Sequence, residues 1–114
     1  MTEFIYHMCR KDEWETAQTS GSYFGSSQDL ADGFIHLSTS DQIVRSAAKH
    51  RAGQKDLLLL AVNPDSLGAT LKWEPSRGGA LFPHLYGPLP FRSVARVHDL
   101  PLGPDDLHLF PDLG

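Results

Sequence analysis

The sequence has a single cysteine, Cys9, no basic tract and no long apolar run. One cysteine cannot form an intrachain disulfide, so nothing indicates a secreted, disulfide-stabilised protein. The formal net charge is −4, and without a cluster of Lys or Arg the chain is a poor match for a protein that binds duplex nucleic acid. The longest apolar run, Leu57–Val62, is too short to span a bilayer, so no membrane partner is expected.

Other absences also indicate a small protein that is neither secreted nor bound to a membrane. Residues 1–7 lack a basic segment followed by an apolar one, so they are not expected to form a signal peptide. Internal repeats, low-complexity tracts and linkers are missing too. With 114 residues the chain has room for one domain, which we expect to have its core at about residues 3–99 and an irregular tail at 100–114. We therefore expect a small cytoplasmic protein.

Hydrophobic patterning predicts five strands, at residues 4–8, 34–38, 57–62, 69–73 and 94–98. It also predicts helices at residues 11–19 and from 39 or 40 to about 50, with Thr39 and Gln42 spaced as a capping box. The six apolar residues from 57 to 62 indicate a central strand covered on both faces. Residues 23–31 are polar and are predicted to form a loop. Alternation in the second strand places Phe34, His36 and Ser38 on one face.

Residues 73–87 carry most of the reactive side-chain types in the sequence. Gly78 and Gly79 permit positive φ and let a ligand approach main-chain N–H groups closely. Arg77 offers a planar fork of donors suited to carboxylate or phosphate. Ser76 can cap or bind phosphate. This stretch predicts a binding loop for an anionic small molecule.

Three histidines, His7, His36 and His84, lie where predicted strands meet loops. Taken singly, each is best explained as a hydrogen-bonded, partly buried side chain. Their neighbours favour a site, because Ser38 and Thr39 follow His36, and Tyr86 follows His84. Imidazoles can ligate zinc, but none of these pairs has i, i+2 or i, i+4 spacing, so no metal site is predicted.

Glu74 and Tyr86 each allow two interpretations. Glu74 either neutralises Arg77 or another cation, or stabilises positive charge that develops on a sugar carbon. The phenol of Tyr86 needs a partner if it is buried, and a packing role is the simpler interpretation.

A family resemblance rests on residues spread along most of the chain. They are Ile5-Tyr6-His7, Trp14, Ala17, the run from Asp32 to Ser38, Leu58-Leu59, and Trp73-Glu74-x-Ser76-Arg77-Gly78-Gly79-x-x-Phe82-Pro83-His84-Leu85-Tyr86. This set resembles the small bacterial family known as domain of unknown function 952, up to about Asp99. Residues 76–86 form its most specific signature.

That family is in turn similar in fold to the ADP-ribosyltransferase superfamily, which includes the RNA 2′-phosphotransferases. The resemblance implies an α+β, ADP-ribosylation-like fold, with two small, bent, mainly antiparallel sheets and two main helices around a cleft for a nicotinamide dinucleotide. His7 would match a basic residue on the first strand of that cleft. Ser38-Thr39-Ser40 would match a Ser-Thr-Ser-like element, and Glu74 is the nearest candidate for the late catalytic glutamate.

Three functions remain open. The first is an enzyme that uses NAD or another nucleotide, with Glu74 and His84 as catalytic residues. Its binding residues would be His7, His36, Ser38, Thr39, Ser76, Arg77, Gly78, Gly79 and Tyr86. The second is a non-catalytic module that binds the same ligand. The third is a structural or interaction domain in which the polar cluster is a buried hydrogen-bond network.

Overall fold

The computed structural model describes residues 3–76 and 79–113. Within these ranges the chain forms an α+β fold of seven strands and three α-helices. The strands are β1 (Ile5–Arg10), β2 (Ile35–His36), β3 (Ser38–Thr39), β4 (Leu57–Val62), β5 (Leu71–Pro75), β6 (Leu81–Leu85) and β7 (Val94–Leu100). The helices are α1 (Lys11–Ser20), α2 (Ser27–Asp32) and α3 (Ser40–His50). Short 3₁₀ turns occupy Pro64–Ser66, Gly68–Thr70 and Phe91–Ser93.

The strands form two antiparallel sheets. The large sheet has the order β3-β1-β4-β7, and the small sheet has the order β2-β6-β5. Every residue of β4 is buried, which confirms the predicted central strand. The reason is that both faces of the large sheet are covered, so neither set of alternating side chains meets water.

Each face of the large sheet packs into its own apolar core. On one face, Leu58, Leu60 and Val62 pack with Trp14 of α1 and with residues of the small sheet such as Leu85. On the other face, the side chains come from β4, α3, the end of β7 and the tail: Leu57, Leu59, Ala61, Ile43, Leu100 and the partly buried Phe110. The small sheet and α1 therefore cover one side of the large sheet, and α3 and the tail cover the other.

The predicted strand at residues 34–38 is in fact two strands that belong to different sheets. His36 pairs with His84 in the small sheet, whereas Ser38 pairs with Tyr6 in the large sheet. Buried Leu37 joins them and donates its N–H to the carbonyl of Pro83 at 3.1 Å. Alternation reports which face a side chain occupies, and it carries no information on which sheet the strand joins.

The prediction of a loop at residues 23–31 was wrong for its second half, because helix α2 occupies Ser27–Asp32. Its N-terminus is a capping box in which the Ser26 hydroxyl accepts from the Asp29 N–H at 3.3 Å, and the Asp29 carboxylate accepts from the Ser26 N–H at 2.8 Å. Gly33 ends the helix with a φ of +87°. A helix of six residues is too short to show a 3.6-residue period. The only signal for it in the sequence is the Ser-x-x-Asp spacing of the capping box.

The predicted binding loop at residues 73–87 is mostly a β-hairpin. Trp73 pairs with Pro83 and Glu74 with Phe82, which makes β6 the central strand of the small sheet. Arg77 and Gly78 lie outside the described residues. Gly79 has a φ of +82°, as expected for the glycine pair.

The predicted strand at residues 69–73 is shifted, because Gly68–Thr70 forms a 3₁₀ turn and β5 begins only at Leu71. Helices α1 and α3 and strand β7 begin within one residue of their predicted starts. Helix α3 begins after Thr39, whose N–H donates to the Gln42 side chain at 3.0 Å. Among the described residues, no helix is both long enough and apolar enough to cross a membrane.

Candidate functional site

One face of the small sheet carries a group of rings and charges that we call the polar face: Phe34, His36, Lys72, Glu74, His84 and Tyr86. The strand register explains the grouping, because His36 lies opposite His84, and His84 lies opposite Lys72. Side chains two residues away along a strand point to the same side. The alternate residues Ile35 and Leu85 point the other way, into the apolar core.

Glu74 connects His84 and Tyr86. Its Oε1 accepts hydrogen bonds from His84 Nδ1 at 2.9 Å and from the Tyr86 hydroxyl at 2.7 Å. Both bonds lower the pKa of Glu74, and the bond from Tyr86 has the larger effect. The carboxylate form of Glu74 is therefore favoured. Because a carboxylate only accepts, Nδ1 of His84 carries a proton, and in the neutral ring Nε2 is the basic nitrogen.

Phe34 contacts three other rings. It stacks on His84 with 4.2 Å between centroids and an interplanar angle of 29°, and its centroid lies 4.6 Å from that of His36 and 5.3 Å from that of Tyr86. The Lys72 ammonium lies 5.5 Å from the centroid of the Tyr86 ring. The His36 side chain is 41% exposed and Tyr86 is 40% exposed, so a planar ligand can reach the edge of the cluster from solvent.

Both ring nitrogens of His36 face carboxylates. Nδ1 lies 2.5 Å from Asp29 Oδ1, and Nε2 lies 3.1 Å from Asp32 Oδ2. The hydrogen bond to Asp29 is the main reason that the pKa of His36 is raised above its ordinary value. Burial of Asp29 opposes its ionisation, but hydrogen bonds from the His36 ring and from the Ser26 and His36 N–H groups still hold the pKa of Asp29 below its usual range. The contact therefore favours the imidazolium form of His36 and the carboxylate form of Asp29.

His7 lies behind this pair and is 2% exposed. Its Nδ1 donates to the carbonyl of His36 at 2.7 Å, and its Nε2 accepts from the Tyr23 hydroxyl at 2.6 Å. Burial lowers the pKa of His7, so the ring is neutral at neutral pH. With both nitrogens occupied, His7 supports the backbone beneath His36 and has no free donor or acceptor for a ligand.

Comparison with known proteins assigns the chain to a family. The family model described as protein of unknown function (DUF952) matches residues 8–97. The chain belongs to the DUF952 family. The crystal structure of CC0527 from Caulobacter crescentus is 50% identical, with 93% of each chain covered and a TM-score of 0.89. The solution NMR structure of CC0527 is 51% identical, with coverages of 91% and 90% and a TM-score of 0.81.

The family resemblance predicted from the sequence is thus confirmed, as is the α+β fold with two antiparallel sheets. No curated protein matches the chain. The likeness of the DUF952 fold to ADP-ribosyltransferases stays a prediction.

The catalytic and binding residues predicted for this DUF952 chain fall into separate groups. His36, Glu74, His84 and Tyr86 come together on the polar face. Ser38 lies across Leu37 in the large sheet, where its hydroxyl is 3.3 Å from that of Ser46. Thr39 caps α3.

Two further predicted residues lie at the end of the β5–β6 hairpin. There the Ser76 carbonyl accepts from the Gly79 N–H at 3.0 Å, and the Ser76 N–H donates to Ala80. Among the residues that the structure describes, no group of three or more His, Cys, Asp or Glu side chains is arranged to hold a metal ion.

Sequence reasoning missed the contacts of Asp29 and Asp32 with His36, the hydrogen bond between Tyr23 and His7, and the packing role of Phe34. Asp29 accepts hydrogen bonds from Ser26 N–H, His36 N–H and His36 Nδ1, and it is only 3% exposed. A buried carboxylate needs such partners. The Ser26-x-x-Asp29 spacing was the available signal, but it indicates a helix cap and not a contact with His36.

The two histidines beside Asp29 predict a stability maximum near their ordinary pKa of 6.5. The raised pKa of His36 gives a stabilisation that is complete below 6.5 and is lost as pH rises through the folded-state value. The lowered pKa of His7 gives a stabilisation that is present above 6.5 and is lost as pH falls towards the folded-state value. Urea unfolding from pH 5 to pH 9 measures both the acid and the alkaline decline of the free energy of unfolding.

A His36→Gln variant should lose the decline on the alkaline side and keep the decline on the acid side. If the free energy of unfolding falls equally at alkaline pH in the variant and in the parent, His36 is not the cause of the alkaline decline.

Proposed function

We propose that the polar face binds a small anionic, nucleotide-like ligand, and that Glu74 and His84 perform transfer chemistry of the ADP-ribosyltransferase type on it. The observation that carries the proposal is the hydrogen-bonded Glu74–His84–Tyr86 group beside a solvent-reachable cluster of rings. A hydrogen-bonded acid–base pair at a solvent-reachable edge has the geometry that general acid–base catalysis requires.

The acid–base role follows from the tautomer of His84. With Nδ1–H directed at Glu74, Nε2 is available to take a proton from an attacking hydroxyl group. Glu74 fixes the ring in that orientation, so the positioning is already present before a ligand arrives.

Glu74 also suits the charge that develops in this chemistry. The bond from ribose to nicotinamide breaks with cationic character on the sugar carbon, and a fixed carboxylate nearby stabilises it. Both hydrogen bonds fall on Oε1, and within the described residues Oε2 accepts none. That oxygen can therefore face the ligand.

Binding would use the rings and the cations. The Phe34 and Tyr86 rings offer apolar surface on which a base or nicotinamide ring can stack. Lys72 supplies a positive charge on the same face, and Arg77 of the family signature supplies a second one by prediction.

Isothermal titration with NAD, ADP-ribose and a 2′-phosphorylated RNA oligonucleotide tests the proposal. We expect at least one of them to bind, and Glu74→Gln to slow turnover by about 10²–10³-fold while the dissociation constant changes little. Glutamine keeps an acceptor for His84 and Tyr86, so the change removes charge and preserves shape. Glu15→Gln, at an exposed position of α1, is the matched control.

No heat from any of the three ligands at millimolar concentration would overturn the proposal. Binding with no turnover in the parent chain would favour the non-catalytic binding module instead.

A structural role is favoured for the buried half of the cluster. His7, Tyr23 and Asp29 are each at most 3% exposed, and hydrogen bonds join His7 to Tyr23 and Asp29 to His36. Buried networks of this kind fix one packing arrangement. We assign His7, Tyr23 and Asp29 to the support of the polar face, and the ligand to the exposed residues in front of them.

A further inference from the structure

A carboxylate covers Nε2 of the His36 ring at the edge of the polar face. Asp32 is the last residue of α2, and its Oδ2 lies 3.1 Å from His36 Nε2. The same oxygen accepts a hydrogen bond from the Gln28 side-chain amide, also at 3.1 Å. Two donors, one on β2 and one on α2, therefore converge on the position of a single carboxylate oxygen.

The two carboxylates that contact the His36 ring differ in burial. Asp29 holds Nδ1 from the inside, with a side chain that is 3% exposed and that also accepts from the Ser26 and His36 N–H groups. Asp32 contacts Nε2 from the outside, with 39% of its side chain exposed. Water replaces the contacts of an exposed carboxylate at little cost, whereas a buried one cannot leave its partners. Asp32 is thus the replaceable partner of His36.

The place of Asp32 in α2 also favours its replacement. The carboxylate lies at the C-terminal end of the helix, where the partial negative charge of the last carbonyl groups disfavours an anion. Gly33 follows, and no atom lies within 4 Å of a Cβ placed on it. The space beside this end of α2 is therefore open to solvent.

We propose that Asp32 occupies the position of a ligand's phosphate group. The phosphate displaces the Asp32 carboxylate and accepts hydrogen bonds from His36 Nε2 and from the Gln28 amide, while Asp29 keeps Nδ1 and holds the ring in place. A phosphate has several acceptor oxygens, so it can serve the two donors separately, and a phosphate ester can carry more negative charge than the carboxylate that it replaces.

This inference rests on the proposed function, because the polar face is taken as the binding site, and it adds the place of the anionic group. His36 then binds the ligand even though both of its ring nitrogens are bonded in the free protein. The exchange replaces one negative charge beside His36 with another, so the ring keeps a charged partner throughout.

Inorganic phosphate is the probe, and the ¹⁵N signals of the histidine rings in the full chain are the readout, at about pH 6.5. We expect phosphate to shift the His36 Nε2 signal. It should leave Nε2 of His108 unchanged, because that nitrogen is bonded to the Gln54 carbonyl in a buried residue.

Two substitutions measure the competition. Asp32→Ala removes the competing carboxylate and should tighten phosphate binding about fivefold, the factor that corresponds to the upper value of an exposed ion pair. His36→Gln, introduced into the Asp32→Ala chain, removes the cationic donor and should weaken phosphate binding about tenfold. Asp32→Asn keeps the shape of the side chain and should give a smaller tightening, and it replaces Asp32→Ala in the test if the alanine variant fails to fold.

Asp12→Ala is the matched control for net charge. Asp12 is 65% exposed and pairs with the Arg10 guanidinium at 2.6 Å, so its removal also takes one carboxylate from an exposed ion pair. Because Asp12 lies on α1 and does not contact His36, phosphate affinity at His36 should stay at the parent value.

Equal phosphate affinity in Asp32→Ala and in the parent would overturn the proposal. A tightening that Asp12→Ala reproduces would also overturn it, because net charge would then be the cause, and so would the absence of any phosphate-induced shift of His36 in Asp32→Ala. These outcomes are distinct from failure of the proposed function, which is shown by the absence of nucleotide binding. Phosphate can occupy His36 without a nucleotide, and a nucleotide can bind the rings without reaching His36.

Discussion

Replacing Asp29 with alanine should lower the free energy of unfolding by about 3–5 kcal/mol, the range for removal of one partner from a buried ion pair. The carboxylate is 3% exposed and accepts from the Ser26 N–H, the His36 N–H and the His36 ring. Alanine would leave these donors without a partner and would also remove the capping box of α2. Urea unfolding at pH 7 measures the loss.

Asp32→Ala is the matched control. Asp32 also contacts the His36 ring, at 3.1 Å, but its side chain is 39% exposed. Water replaces an exposed partner at little cost, so we expect a loss below about 1 kcal/mol. Similar losses for the two variants would contradict the claim that burial makes the Asp29 contact stronger than the Asp32 contact.

Gly25→Ala should cost about 2–5 kcal/mol, which combines left-handed strain with overpacking. Gly25 has a φ of +100°, and an added Cβ would lie 2.6 Å from Asp29 Cβ and 2.7 Å from Asp29 Oδ2. Asp29 cannot move aside without losing its hydrogen bonds to Ser26 and His36. The same urea experiment measures the effect.

Gly21→Ala separates the two causes. Gly21 has a φ of +91°, and no atom lies within 4 Å of a Cβ placed there, so only the strain of about 1–2 kcal/mol applies. The difference between the two variants is the cost of crowding Asp29. If both variants lose the same amount, the contact with Asp29 contributes nothing.

The sequence predicted those elements whose local pattern and tertiary environment agree. β4 is six apolar residues long and α3 has a cap and an apolar stripe, so both were placed almost to the residue. α2 and the split between β2 and β3 were missed, because a six-residue helix and two-residue strands are held by tertiary contacts and not by periodicity.

The candidate site was predictable in part for the same reason. Glu74, His84 and Tyr86 belong to one hairpin, so alternation along each strand and the register between β5 and β6 bring them to one face. Asp29 reaches His36 only because α2 folds back against β2, and no spacing in the sequence encodes that approach. His7 looked like a ligand-binding residue, and only its neighbours in space reveal that both of its ring nitrogens are already bonded.

The single residue Leu37 between β2 and β3 limits how the molecule can open. Two residues of extended chain span at most about 7 Å, so His36 and Ser38 cannot separate further while each stays paired in its own sheet. The two sheets are therefore joined at this edge by a connection of one residue, which is already extended. The two layers cannot part by a hinge motion at this edge, because such a motion would first break the pairing of β2 or of β3. The ligand that we propose for the polar face would therefore have to bind from the solvent side, where the His36 side chain is already 41% exposed.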